Sequence, residues 1–223
     1  MPYECSEPQT NQMKETMNIK IATILGLGIL AASGAKAQSV LYSQPFDSGN
    51  RSDFSPYWAC YDDFTLSGGG TVNKVDWSGL DLGGVTGFTI SFWSDNSGTP
   101  GTSLASDSIT GLAGETFSGQ YGIVKTQPIY NYSATLASSF SVAPGTGYYI
   151  SITANDGDWC WETSGVGNHG ALQVNSVASV SINDAGLAFT LEGSTVPEPG
   201  AIALGLFGAS AFLFRRRKFR MGL

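Results

Sequence analysis

Two stretches alternate strictly between apolar and polar side chains, Phe88-Thr89-Ile90-Ser91-Phe92 and Tyr148-Tyr149-Ile150-Ser151-Ile152-Thr153. A period of two places successive side chains on opposite faces of an extended strand. Phe88, Ile90 and Phe92 therefore share one face, and Thr89, Ser91 and Trp93 take the other. Shorter runs rich in aromatic and β-branched residues, at 58–66, 71–77, 104–109, 117–124, 130–136, 140–142, 171–174 and 187–191, predict further strands. Turn formers separate them, among them Ser67-Gly68-Gly69-Gly70, Asp95-Asn96-Ser97-Gly98, Pro144-Gly145-Thr146-Gly147 and Asn155-Asp156-Gly157-Asp158. Helical periodicity is nearly absent between residues 38 and 195. This texture predicts an all-β domain, a two-sheet antiparallel sandwich of jelly-roll type with one buried and one wet face per sheet.

The ends of the chain read differently. Lys20 precedes an apolar run at 21–32 and then Ala35-Lys36-Ala37, which together describe an N-terminal signal helix with a cleavage site before Gln38. Residues 1–37 are thus a predicted signal peptide. Residues 1–16 carry Glu4, Glu7 and Glu15, acids that a basic leader does not begin with, so Met17 is the expected true start. At the other end, Val196-Pro197-Glu198-Pro199-Gly200 leads into an apolar segment at about 200–214 and a basic tail at 215–220. That segment lies at the lower limit for a transmembrane helix of about 17–25 residues. Its cationic flank is held on the cytoplasmic side, which puts an ectodomain at 38–195 outside.

The order Pro197-Glu198-Pro199, short apolar helix, Arg215-Arg216-Arg217 resembles the PEP-CTERM sorting signal of Gram-negative bacteria. The resemblance implies recognition by an exosortase and removal of the tail. Delivery to the cell surface or to an extracellular polysaccharide matrix follows, with signal peptidase acting at the front and the inner membrane holding the precursor. Asp62-Asp63-Phe64, Val75-Asp76-Trp77-Ser78-Gly79 and the Phe88–Phe92 strand with its following turn also resemble β-sandwich ectodomains found ahead of such tails. That likeness implies a surface domain with no assigned activity.

Charge narrows the partners. Residues 38–195 hold three basic residues, Arg51, Lys74 and Lys125, against fourteen acids, a balance of −11 compared with −7 for the whole chain. Such a surface repels phosphate backbones and argues against nucleic-acid binding. Cations, neutral glycans or plain solubility suit it better.

Candidate chemistry is sparse. Cys5 precedes the expected start, which leaves Cys60 and Cys160 as a pair in an oxidising compartment and predicts a disulfide, with two separate buried thiols as the alternative. His169 is the only histidine, in a Gly-Asn-His-Gly loop, so neither a catalytic triad nor a histidine-rich zinc site is indicated. Asp62 and Asp63 are the best paired carboxylates, but neighbours on a strand face opposite ways, which argues against a glycosidase pair. Asn155, Asp156 and Asp158 around Gly157 offer hard oxygen ligands for calcium, the one cofactor the sequence suggests, with a solvated turn as the alternative. Trp58, Tyr61, Trp77, Trp93, Trp159 and Trp161 are either core filling or sugar-stacking faces. Trp93 is the candidate glycan contact, because its neighbours claim the opposite face. Three functions compete: a non-enzymatic exported surface or matrix protein associated with exopolysaccharide or biofilm; a carbohydrate-binding module, calcium-assisted or not; and a secreted glycan hydrolase.

Overall fold

The computed structural model describes residues 38–46, 52–54, 58–122, 127–166, 170–174, 179–181 and 186–195. The signal peptide, His169 and the whole sorting motif (Pro197, Glu198, Pro199, the apolar segment, Arg215, Arg216 and Arg217) lie outside the described residues. Within them the chain forms strands and turns and no helix. The strands are β1 (Ser39–Gln44), β2 (Ser52–Phe54), β3 (Ala59–Thr65), β4 (Gly70–Gly83), β5 (Gly87–Asp95), β6 (Pro100–Thr110), β7 (Thr116–Tyr121), β8 (Pro128–Val142), β9 (Gly147–Ala154), β10 (Asp158–Ser164), β11 (Leu172–Val174), β12 (Ser179–Ser181), β13 (Gly186–Leu187) and β14 (Phe189–Thr195).

They build two antiparallel sheets, as the patterning predicts. One sheet has six strands in the order β12-β11-β3-β9-β5-β6. The other has eight, organised on β4, the longest strand of its central path. Along one edge β4 pairs with β8. Along the other it pairs first with β14, Trp77 opposite Phe189, and then with β10 from Gly79 onward, where β14 has ended. β1 closes one side against β14, with Ser39 opposite Gly193.

Alternation explains what lies between the sheets. Phe64, Phe88, Ile90, Phe92, Ile150 and Ile152 from the six-stranded sheet meet Val75, Trp77, Tyr132, Trp159, Trp161 and Phe189 from the other, all nearly or fully buried. Phe92 stacks on Phe140 with ring centroids 4.4 Å apart. Phe88 stands edge-on to Trp77, Tyr132 and Trp159 at 5.0–5.3 Å. Aromatic pairs of this kind add roughly 0.5–1.5 kcal/mol each beyond the area they bury, so these contacts hold the sheets face to face.

One sequence expectation is corrected here. The predicted Cys60–Cys160 disulfide is not formed: both are buried thiols on different strands. Cys60 belongs to the main core between the sheets, while Cys160 belongs to a separate apolar cluster with Leu80 and Ile129. The reason is strand geometry. Trp159 and Trp161 on β10 point into the inter-sheet core, so Cys160 between them points to the outer face of its sheet. A disulfide needs converging Cβ atoms about 3.5–4.5 Å apart, and a side chain aimed out of the sandwich cannot supply that.

Candidate functional site

Trp93 sits on β5 where alternation places it, on the face opposite buried Phe88, Ile90 and Phe92. It is not a free platform, however. The residue is half-buried, edge-on to Tyr61 at 5.6 Å, and paired across the ladder with buried Tyr149. Its Nε1 is buried and meets no acceptor among the described residues. Burial, together with the charges of Asp63, Asp95 and Asp62, pushes the Tyr149 phenol up to about 12.

Asn155, Asp156 and Asp158 lie in and beside the exposed turn between β9 and β10. The turn is tied to the β4–β5 connection. Thr86 Oγ1 donates to Asp156 Oδ2 at 2.7 Å, Thr89 Oγ1 donates to Asn155 Oδ1 at 2.7 Å, and Asn155 N donates to Gly87 O at 2.9 Å. Gly157 is required at the crossing: its φ is +77°, and a Cβ there would lie 2.3 Å from the Gly84 carbonyl carbon. Two of the three oxygen ligands suggested for calcium thus already accept hydrogen bonds within the fold. Among the described residues no group of three or more His, Cys, Asp and Glu side chains is arranged to hold a metal ion.

Asp62 and Asp63 diverge as the strand period requires. Asp62 is fully buried, accepting from Leu187 N on Oδ2 at 2.5 Å and from Asp63 N on Oδ1 at 2.9 Å. Desolvation pushes its carboxyl up to about 8, with the Asp63 charge adding and the two backbone donors opposing. Beside it, Gln44 Oε1 is buried and meets no donor among the described residues, while Gln44 Nε2 donates to Tyr42 Oη at 2.7 Å. A Cβ on Gly186 would lie 1.9 Å from Gln44 Oε1 and 3.2 Å from Asp62 Oδ2, so those two oxygens flank the same glycine.

A groove of about 400 Å³ opens on the outer face of the eight-stranded sheet. Val75, Trp77, Tyr132, Phe189 and Leu191 point into the core. The residues between and beside them, Asp76, Ser78, Asn131, Ser133 and Thr190, therefore form the floor. One wall is Gln44-Pro45-Phe46 leaving β1, and Gly114 and Thr116 form the other. Phe46 is anchored in the outer apolar cluster of Leu80, Ile129 and Cys160. Lys74 Nζ bonds both Asp76 and Glu192 at 3.0 Å, which fixes the Asp76 carboxylate. Ser78 Oγ donates to Asn131 Oδ1 at 2.9 Å and leaves the Asn131 amide donors for other partners. Sequence reasoning missed this groove. Its floor was readable as the polar half of Lys74-Val75-Asp76-Trp77-Ser78 and Asn131-Tyr132-Ser133, but its walls come from segments distant along the chain.

No protein-family model matches the sequence, and no curated protein matches it. Among solved structures, the chain is similar to the cysteine protease and lectin-like domains of Cwp84, a surface layer associated protein of Clostridium difficile. That likeness has 12% identity and a TM-score of 0.43, over 64% of this chain and 33% of that one. It is also similar to the clostridial cysteine protease Cwp84 after propeptide cleavage, at 12% identity and a TM-score of 0.47, over 71% and 40% of the two chains. The chain thus spans two fifths or less of the length of either structure.

Proposed function

We propose that this chain is a non-enzymatic exported protein, sorted through its C-terminal signal to the cell surface or an extracellular polysaccharide matrix of a Gram-negative bacterium, where the sandwich is displayed. The observation that carries the reading is the order Pro197-Glu198-Pro199, apolar segment, Arg215-Arg216-Arg217, which follows directly on the last strand, ended at Thr195. Strand pairing supports it. β1 runs antiparallel to β14, Ser39 lies opposite Gly193, and Gln38 Nε2 donates to Glu192 Oε2 at 2.9 Å. The first and last residues of the sandwich are therefore side by side at one pole, which suits a domain held from that pole and presenting the rest outward. In this reading signal peptidase frees the front, an exosortase acts at the tail, and the membrane holds the precursor between the two events. Replacing Pro197, Glu198 and Pro199 together by alanine tests it. The expected result is accumulation of the unprocessed chain in the inner-membrane fraction. Unchanged delivery to the surface would remove the sorting reading and leave a plain anchor.

A second reading, a carbohydrate-binding module, is favoured by one observation, the polar groove beside Phe46. The hydrolase reading has less support, because Asp62 and Asp63 point to opposite faces and Asp62 is sealed in the core. Calcium at Asn155, Asp156 and Asp158 enters only as an accessory to the second reading.

A further inference from the structure

We infer that the groove on the outer face of the eight-stranded sheet is a binding site for a short stretch of neutral polysaccharide, with Asp76 and Asn131 contacting sugar hydroxyls and Phe46 packing against a ring. The inference rests on the reading of the protein as a matrix protein and gives that reading a site. At about 400 Å³ the groove has the size of a small-molecule site, toward the lower end of the usual range of about 300–1,000 Å³. Its floor is hydroxyls, one amide and one carboxylate, groups that exchange hydrogen bonds with a polyol, and Pro45 and Phe46 add apolar surface beside them, the mixture a sugar ring presents in return.

The charges select against anionic ligands. Lys74 is the cation that reaches this floor among the described residues, and it is already engaged by Asp76 and Glu192. Phosphates, sulfates and uronates would meet two acids, Asp76 and Glu192, that share one cation, in a domain whose balance is already −11. The polar groups are also held in advance. Asp76 is fixed by Lys74, and Asn131 is oriented by Ser78, whose hydroxyl occupies the amide oxygen. Asp76 is left as the acceptor and the Asn131 amide as the donor, a pair suited to two adjacent hydroxyls, and little side-chain freedom is lost when they are engaged. Phe46 adds the apolar surface that the C–H face of a sugar ring packs against.

The test is affinity electrophoresis of the exported protein through gels containing laminarin, hydroxyethyl cellulose or mannan, with alginate as the anionic comparison. The wild type should be retarded by at least one neutral polymer and not by alginate. Asp76→Asn, which keeps the shape of the groove, should weaken that retardation on the order of tenfold, as expected when a hydrogen bond to a charged group is lost. Ser133→Trp, which fills the groove from an exposed position, should abolish it. Circular dichroism of both variants checks that the sandwich is intact. Retardation by alginate alone, by no neutral polymer, or by a neutral polymer with both variants unaffected overturns the site. Loss in Trp93→Ala but not in the groove variants would move binding to the other sheet and overturn it equally. Failure here is distinct from failure of the sorting reading, since an unretarded protein would still reach the surface.

Discussion

Asp62 on β3 accepts a hydrogen bond from the backbone of Leu187 across 125 positions of chain, its Oδ2 lying 2.5 Å from that nitrogen in a fully buried setting. Burial raises this carboxyl to about 8, so the folded protein holds a proton there that the unfolded chain releases near its ordinary value of 3.8. The sign follows from linkage: between those two values the native state binds more protons, and stability falls as pH rises. Chemical denaturation from pH 4 to pH 9 should show stability highest at the acid end of this window, declining by several kcal/mol and levelling above about 8. The Asp63 charge acts on it in the same direction, and the Asp62 charge in turn raises the Tyr42 and Tyr149 phenols. Asp62→Asn should flatten the decline. It should also lower the acid baseline by about 1–3 kcal/mol, because an amide cannot accept from both backbone donors.

Gly186 makes a separate prediction. A methyl group there would lie 1.9 Å from Gln44 Oε1, so Gly186→Ala should cost about 1–3 kcal/mol through overpacking. Combined with Gln44→Ala, which empties that space, the cost should be well short of additive, as for residues in direct contact. Urea melts of the two single variants and the double variant measure it.

Trp93 lies between a core residue and a surface one. Trp93→Ala removes a half-buried ring and its edge-on contact with Tyr61. The expected loss is about 1–2 kcal/mol, less than the 3–5 for a fully buried aromatic and more than a solvent-face substitution. Equilibrium unfolding decides which regime applies.

How far the sequence carries the fold depends on what each strand faces. β5 and β9 were legible because one face is wet and the other buried, which writes a period of two into Phe88–Phe92 and Tyr148–Thr153. β10 carries no such period, although Trp159, Cys160 and Trp161 stand out in its sequence. Both of its faces are covered, Trp159 and Trp161 by the main core and Cys160 by the outer cluster, and burial on both sides erases alternation. The Cys60–Cys160 bridge was expected from cysteine count and compartment alone, and neither says which face of its strand a cysteine takes. β1 was hidden by a register shift between Val40 and Tyr42, which breaks the period within six residues. The pattern of β8 predicts two strands, at 130–136 and 140–142, because the shift opposite Val72 and Lys74 interrupts it, although the chain continues as one strand. Of the candidate sites, the position of Trp93 was legible and its packing against Tyr61 was not, since contacts between strands are not written in either strand alone.

The turn at Asn155–Asp158 is expected to behave as a clasp. Asp156→Ala removes the acceptor of Thr86 and should cost about 0.5–1 kcal/mol with or without calcium. Added calcium should leave the thermal midpoint of the wild type unchanged, because among the described residues no third acidic side chain joins Asp156 and Asp158 to hold the ion. A calcium-dependent rise abolished by Asp156→Ala would restore the metal reading.

The intact mass of the form recovered from the cell surface or matrix tests the central claim most directly. Export through the signal peptide and sorting through the C-terminal signal predict a chain that begins at Gln38 and lacks residues 201–223. A surface form whose mass retains the apolar segment and the Arg215-Arg216-Arg217 tail would contradict it.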